Sequence, residues 1–157
     1  MIMTNLIRPK PKAAAYVQLP KQLPKKLINP KWGFSVDELS IKGRDGRNFK
    51  VTEAFTYTAQ NGEVITIPIG ADTDGLSSPR LIWQLIPPFG KPWKAAVLHD
   101  YLYRRTRMSK KRCDEILYEA MLYLKVNKAE AKVIYQSVVL FGGKSFREDR
   151  AAQKKAA

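Results

Sequence analysis

An α+β domain is predicted, a small antiparallel β-meander followed by a bundle of three to four helices, on three observations. Between residues 34 and 69, short runs rich in Phe, Val, Ile and Tyr are separated by Gly43-Arg44-Asp45-Gly46-Arg47 and by Asn61-Gly62, the latter a strong hairpin signal. Beyond residue 78 the apolar residues change to helical spacing between residues that cap helices. The chain of 157 residues is 45% hydrophobic, enough for one packed core but not for two. Strands come first and helices after, without the alternation a parallel α/β sheet requires.

In order along the chain, residues 1–31 form a basic proline-rich arm. They carry seven basic groups, no acid and five prolines, which predicts an extended, partly polyproline-like segment without a core of its own. Tyr16, Val17, Leu19, Leu23, Leu27 and Ile28 along it are available to dock on a neighbour. A single α+β domain is expected over 32–143. Its first strand holds Phe34, Val36, Leu39 and Ile41 in imperfect alternation; a second holds Phe49, Val51, Ala54, Phe55 and Tyr57; a third runs from Val64 to Ile69. Asn61 and Gly62 are both expected at positive φ in the hairpin between the last two.

Ser78-Pro79 suits the cap and first turn of a short helix that Pro87-Pro88 ends. A second helix is expected from Trp93 to Thr106, with Ala95, Leu98, His99 and Leu102 as its core stripe. Ser109 should cap a third, whose Cys113, Ile116, Leu117, Ala120, Met121 and Leu124 face inward. Asn127 and Glu130 have capping-box spacing for a fourth, closed by Gly142-Gly143. Residues 144–157 read as a basic C-terminal tail.

Composition narrows the function classes. One cysteine excludes an intrachain disulfide and a Cys-rich zinc site, and one histidine excludes multi-His metal centres. No apolar run approaches the roughly 18 residues of a membrane span, and MIMTNLIRPKPK lacks the apolar stretch of a signal peptide. A cytoplasm-made, reduced, soluble protein is expected.

Basic residues number 28 against 14 acidic, a formal charge of +14. The excess lies on the two tails and on RRTRMSKKR, residues 104–112, which has six basic groups and no acid. Arg104, Arg105, Arg107, Lys110, Lys111 and Arg112 are therefore expected on an exposed turn facing an acidic partner, an anionic lipid or nucleic acid.

The chemistry-bearing residues gather around the single histidine. His99 lies on an apolar helical stripe, with Tyr103 one turn on and Asp114 early in the next helix. A core histidine satisfied by partners is the ordinary explanation of such a residue. The same three residues also suit a general base, one ring nitrogen oriented by Asp114 and the other open to a proton. Asp100 points about 100° away around the helix, toward the polar turn Gly70-Ala71-Asp72-Thr73-Asp74-Gly75. That turn resembles half an EF-hand loop, but the acid required near its end falls on Leu81 or Trp83. An Asx-type turn capping the next helix is the simpler reading. If a cation binds there, Asp72, Asp74 and Asp100 are its candidate ligands and calcium the candidate ion.

The ordered set TDGLSSPR, PPFGKPWKAAVLHDYLYR and SKKRCDEILYEAM resembles an uncharacterised family of phage and prophage proteins, domain of unknown function 1353, over about residues 64–142. This implies phage origin but brings no activity. His99-Asp100-x-x-Tyr103 followed by Asp114 is also similar to the catalytic helix pair of phospholipases A2. That resemblance implies His99 as the base, Asp100 as a calcium ligand, and Tyr103 and Asp114 as supports of the His ring. The Gly-rich calcium loop of those enzymes has no match here. Two functions are thus expected to compete. The leading one is a virion-associated structural or assembly protein, a tail or neck component or an accessory one, made in the host cytoplasm and contacting other virion proteins. The other is a calcium-dependent, phospholipase A2-like hydrolase acting on the host envelope.

Overall fold

The computed structural model describes residues 32–43, 48–73 and 90–156. The arm (1–31), the turn residues 44–47 and the stretch 74–89, with Asp74 and the helix expected after Ser78-Pro79, lie outside the described residues. The elements are β1 (Gly33–Phe34), β2 (Ile41–Gly43), β3 (Phe49–Val51), β4 (Phe55–Thr58), β5 (Val64–Ile67), β6 (Asp72–Thr73), α1 (Trp93–Arg105), α2 (Lys110–Tyr123), α3 (Lys128–Phe141) and α4 (Gly143–Ala156). The fold is α+β, small antiparallel sheets followed by four helices.

The expected meander is divided into two three-stranded sheets, ordered β1-β4-β5 and β2-β3-β6. Both long strands of the sequence reading break at matching places. Ser35-Val36-Asp37-Glu38-Leu39-Ser40 separates β1 from β2, and Thr52-Glu53-Ala54 separates β3 from β4. Across the break, Thr52 N donates to Ser40 O (2.8 Å) and Ser35 N to Thr56 O (2.9 Å), so backbone pairing continues while the chain changes direction. β6, absent from the sequence reading, completes the second sheet by pairing Thr73 with Phe49 and Asp72 with Lys50.

The hairpin joining β4 to β5 also differs from the expected turn. Only Gly62 takes a positive φ, +86°. Asn61 contributes instead through its side chain, which accepts from Glu63 N at 3.0 Å. Ala59 N donates to Glu63 O and Gly62 N to Ala59 O, a three-residue loop with glycine in the left-handed position.

The helix caps follow the sequence. Ser109 Oγ accepts from Arg112 N (3.3 Å), and Asn127 Oδ1 accepts from Ala129 N (2.8 Å). α2 ends with Lys125 at φ +59°; Val126 N donates to Met121 O and Lys125 N to Leu122 O, which satisfies the carbonyls left over at the helix end. Gly142 ends α3 in the right-handed region, and α4 starts at the next residue. Residues 144–156, expected as a tail, are thus helical. α4 packs on α1 and α3, and α1 packs on α2 and β6.

α1 has more than a core stripe. Every residue from Ala95 to Asp100 is buried, because neighbours cover the helix on several sides. The core joins these residues to Phe55, Tyr57 and Ile67 of the first sheet and to Ile116, Leu117, Met121, Ile134 and Val138 of α2 and α3. Phe34 sits 4.8 Å from the Tyr57 ring and 6.0 Å from the Tyr123 ring, centroid to centroid.

Gly33 fixes this junction of sheet and helix. Its φ is +124°, and a Cβ there would overlap the Tyr123 ring. Gly33→Ala is expected to destabilise the fold by about 2 kcal/mol or more through strain and overpacking together, measured by urea denaturation. An unchanged midpoint would show that the Tyr123 ring moves aside freely.

Candidate functional site

The site is built where α1, α2 and the end of α3 meet. The turn Thr106–Ser109 reverses the chain, and Thr106 Oγ1 donates to Leu102 O at 2.7 Å to close the last turn of α1. This sets the His99–Tyr103 face of α1 against the first turns of α2. Asp114 comes five residues into α2 and is 2% exposed; His99 is 3% exposed.

Asp114 is the centre of the arrangement. Its Oδ1 accepts from His99 Nε2 (2.9 Å) and from the Tyr103 hydroxyl (2.6 Å), and its Oδ2 accepts from Lys110 Nζ (2.6 Å). An ionised carboxylate only accepts, so His99 carries a proton on Nε2. Lys110 goes on to donate to Val138 O (2.8 Å) and Val139 O (3.3 Å) of α3. The network therefore joins three helices, and the Lys110 ammonium meets the carbonyls at the C-terminal end of α3, where positive charge is favoured. The Tyr103 ring packs 4.2 Å from His99 and 5.0 Å from Phe146 of α4.

Opposing effects act on the Asp114 acidity. Burial raises its pKa, but the hydrogen bonds from His99, Lys110 and Tyr103 outweigh burial and hold it below the usual carboxylate value. Burial, followed by the bond to Asp114, raises the Tyr103 phenol. Burial pushes the neighbouring Cys113 thiol up to about 12, which makes it a buried core group and a poor nucleophile at neutral pH.

Asp100 lies on a different side of α1, 5% exposed, and accepts from Thr73 Oγ1 of β6 at 2.8 Å. It does meet the strand-to-helix turn, as its position on the helix predicts. Asp72, in contrast, is partly exposed and faces cations, with Lys50 Nζ at 3.6 Å and Arg105 NH2 at 3.8 Å. Asp74 is outside the described residues. Among the described residues no three His, Cys, Asp or Glu side chains gather closely enough to hold a metal, and Asp72 is already compensated.

The basic run 104–112 is corrected more strongly. It does not form one exposed turn: Arg104 and Arg105 end α1, Lys110, Lys111 and Arg112 begin α2, and acids distant in sequence reach three of the six. Arg104 Nε lies 3.7 Å from Asp149 of α4, and Arg105 pairs with Asp72. Lys110 points inward to Asp114. Arg112, within α2, contacts Glu119 (3.0 Å), Glu63 (3.4 Å) and Glu115 (3.7 Å). Lys111 is exposed beside Glu115 at 3.9 Å, and Arg107 is exposed. Reading the run by its local charge missed Lys110 as a member of the site, although its i,i+4 spacing to Asp114 is visible in the sequence.

The depressed acidity of Asp114 fixes the direction of its pH effect. The group contributes stability above the unfolded carboxyl value of about 4, and that stability is lost as pH falls through the lower folded value. Asp114→Asn is expected to cost about 3 kcal/mol at pH 7, because it leaves the half-buried Lys110 ammonium without its anion. Urea denaturation from pH 7 to pH 2 should show the difference between wild type and variant shrinking at the acid end. A constant difference would contradict an ionised Asp114.

Comparison with known proteins places this geometry within one matched region. The family described as "Protein of unknown function (DUF1353)" matches residues 49–138, from β3 to the Val138 carbonyl that receives Lys110. An uncharacterized protein, y4iH, of Sinorhizobium fredii (strain NBRC 101917 / NGR234) is 33% identical over 93 residues, covering 56% of this chain and 38% of that protein. This chain thus spans well under half the length of that relative. No solved structure matches. With more than half of its residues inside the family match, the chain belongs to the DUF1353 family.

Proposed function

We propose that this protein is a structural component without catalytic activity, and that it acts as a virion-associated protein of a bacteriophage, contacting other virion proteins. The observation that carries the structural reading is the closed Asp114 network. All three donors to Asp114 come from the chain itself, and the Lys110 ammonium is shared between this carboxylate and the end of α3. An ammonium 2.6 Å from the carboxylate competes for the charge that would otherwise polarise His99, so the arrangement suits holding helices together better than activating water. The place of action rests on the resemblance of the TDGLSSPR, AAVLHDYLYR and SKKRCDEILYEAM segments to phage and prophage sequences.

One observation favours a second reading, the phospholipase A2-like hydrolase. His99 Nε2 is held by Asp114 with Tyr103 on the same oxygen, which leaves Nδ1 outside the bonds to Asp114, and Asp100 follows in sequence. That reading needs a calcium site built from residues beyond those described. A nucleic-acid surface on residues 104–112 loses support from the ion pairs that neutralise most of the run.

Phosphatidylglycerol vesicles incubated with the purified protein, with and without calcium, separate the two. Wild type and His99→Gln should release fatty acid equally, at the rate of vesicles alone, and mass spectrometry of purified particles should recover the protein at fixed stoichiometry. Calcium-dependent hydrolysis lost in His99→Gln would establish the hydrolase instead.

A further inference from the structure

Away from the Asp114 network, an open groove of about 540 Å³ runs between the β1–β2 connection and the start of α1. Leu39, Ile41, Trp93 and Leu124 supply its apolar surface, and Asp37 and Glu38 stand exposed beside it. Trp93 is held edge-on against Phe49, ring centroids 5.4 Å apart. Of the two lysines on the groove, Lys94 is already committed. Its ammonium donates to Val36 O (2.9 Å) and Asp37 O (2.5 Å) and lies 5.0 Å from the centre of the Phe34 ring. Lys91 is exposed.

An acidic rim is unusual in a chain with twice as many basic as acidic residues. Most other described acids are engaged by cations of the body: Asp72, Asp114, Asp149, and the Glu63, Glu115 and Glu119 group around Arg112. Among the described residues, no salt bridge uses Asp37 or Glu38, whose charges act on the Lys94 ammonium at longer range. An aromatic and aliphatic floor with acids beside it is the surface that takes an extended, basic, proline-containing peptide. Such a peptide loses little entropy on binding, its apolar side chains fill the floor, and its cations meet the rim.

The chain carries a segment of that chemistry. Residues 19–31, LPKQLPKKLINPK, repeat Leu-Pro-Lys twice and contain Lys21, Lys25, Lys26 and Lys31 with no acid. The segment joins the body beside the groove. Trp32, the next residue, packs edge-on against Tyr123 (5.6 Å) and donates from its indole to the Tyr57 hydroxyl (3.1 Å); Leu124, adjacent to Tyr123, lines the groove. A tether this short gives an effective concentration on the order of millimolar, which favours the chain's own segment over a second copy in dilute solution. We infer that the groove is the docking site of the chain's own residues 19–31, apolar side chains against Trp93 and Leu39 and lysines against Asp37 and Glu38. This inference is independent of the virion reading.

Limited trypsin digestion of the full-length protein tests it. Two variants disturb opposite partners: Asp37→Asn with Glu38→Gln on the exposed rim, and Leu19→Ala with Leu23→Ala and Leu27→Ala on the segment, which leaves the body's own residues intact. Each should raise the cleavage rate between residues 19 and 31 by about tenfold or more, since cleavage follows the undocked population, with the thermal midpoint of the body unchanged. Cleavage of both variants within about twofold of wild type overturns the proposal. Carbodiimide cross-linking of an equimolar mixture of nitrogen-15-labelled and unlabelled protein completes the test. Lysines of 19–31 should link to Asp37 or Glu38 within one copy; links only between labelled and unlabelled copies would show exchange between chains and overturn docking within the chain.

Discussion

A buried carboxylate imposes a severe condition on its surroundings, and in this protein Asp114 imposes it on three helices at once. An ionised group at 2% exposure is tolerable only if its lone pairs are occupied and its charge is offset. His99, Tyr103 and Lys110 do this, placed by two features of the chain: the helical period of α1 brings His99 and Tyr103 to one face, and the first turn of α2 brings Lys110. Because Lys110 also needs acceptors, the end of α3 is drawn in. The crossing of α1, α2 and α3 is thereby specified by directional bonds, whereas apolar contacts alone would tolerate neighbouring registers.

The two small sheets depend on this helical frame. Among the described residues each has three strands of two to four residues, too short to be stable without packing against another layer. The first reaches the helices through Phe34, Tyr57 and the Tyr123 ring over Gly33. The second reaches them through Thr73 on Asp100 and Phe49 on Trp93. α1 is consequently buried around most of its circumference, and its two polar anchors, His99 and Asp100, face different partners. Adjacent residues that look like one motif in the sequence do separate structural work: one ties helix to helix, the other ties helix to sheet.

The legibility of these features follows from their physics. The meeting of His99, Tyr103 and Asp114 was readable because a helical period and a four-residue turn leave little freedom. Lys110 was misread because its charge was summed with its neighbours when its i,i+4 partner mattered more. The division of the meander was unreadable because the breaks at Ser35–Ser40 and Thr52–Ala54 are set by pairing with distant strands. α4 was read as a tail for a similar reason. Phe146, Asp149, Arg150 and Gln153 have the spacing of one helical face, but three are polar, so no apolar period marks it. They dock by bonds to Tyr103 O, Met108 O and Arg104.

If the Asp114–Lys110 contact organises the helices as described, its two members must be energetically coupled. A double-mutant cycle of Lys110→Met and Asp114→Asn, measured by urea denaturation at pH 7, tests this most directly. Contact within one buried network predicts a coupling energy of about 1–3 kcal/mol, with the double variant more stable than the sum of the single losses implies. Single losses that add to within about 0.5 kcal/mol would show two independent residues and contradict the account.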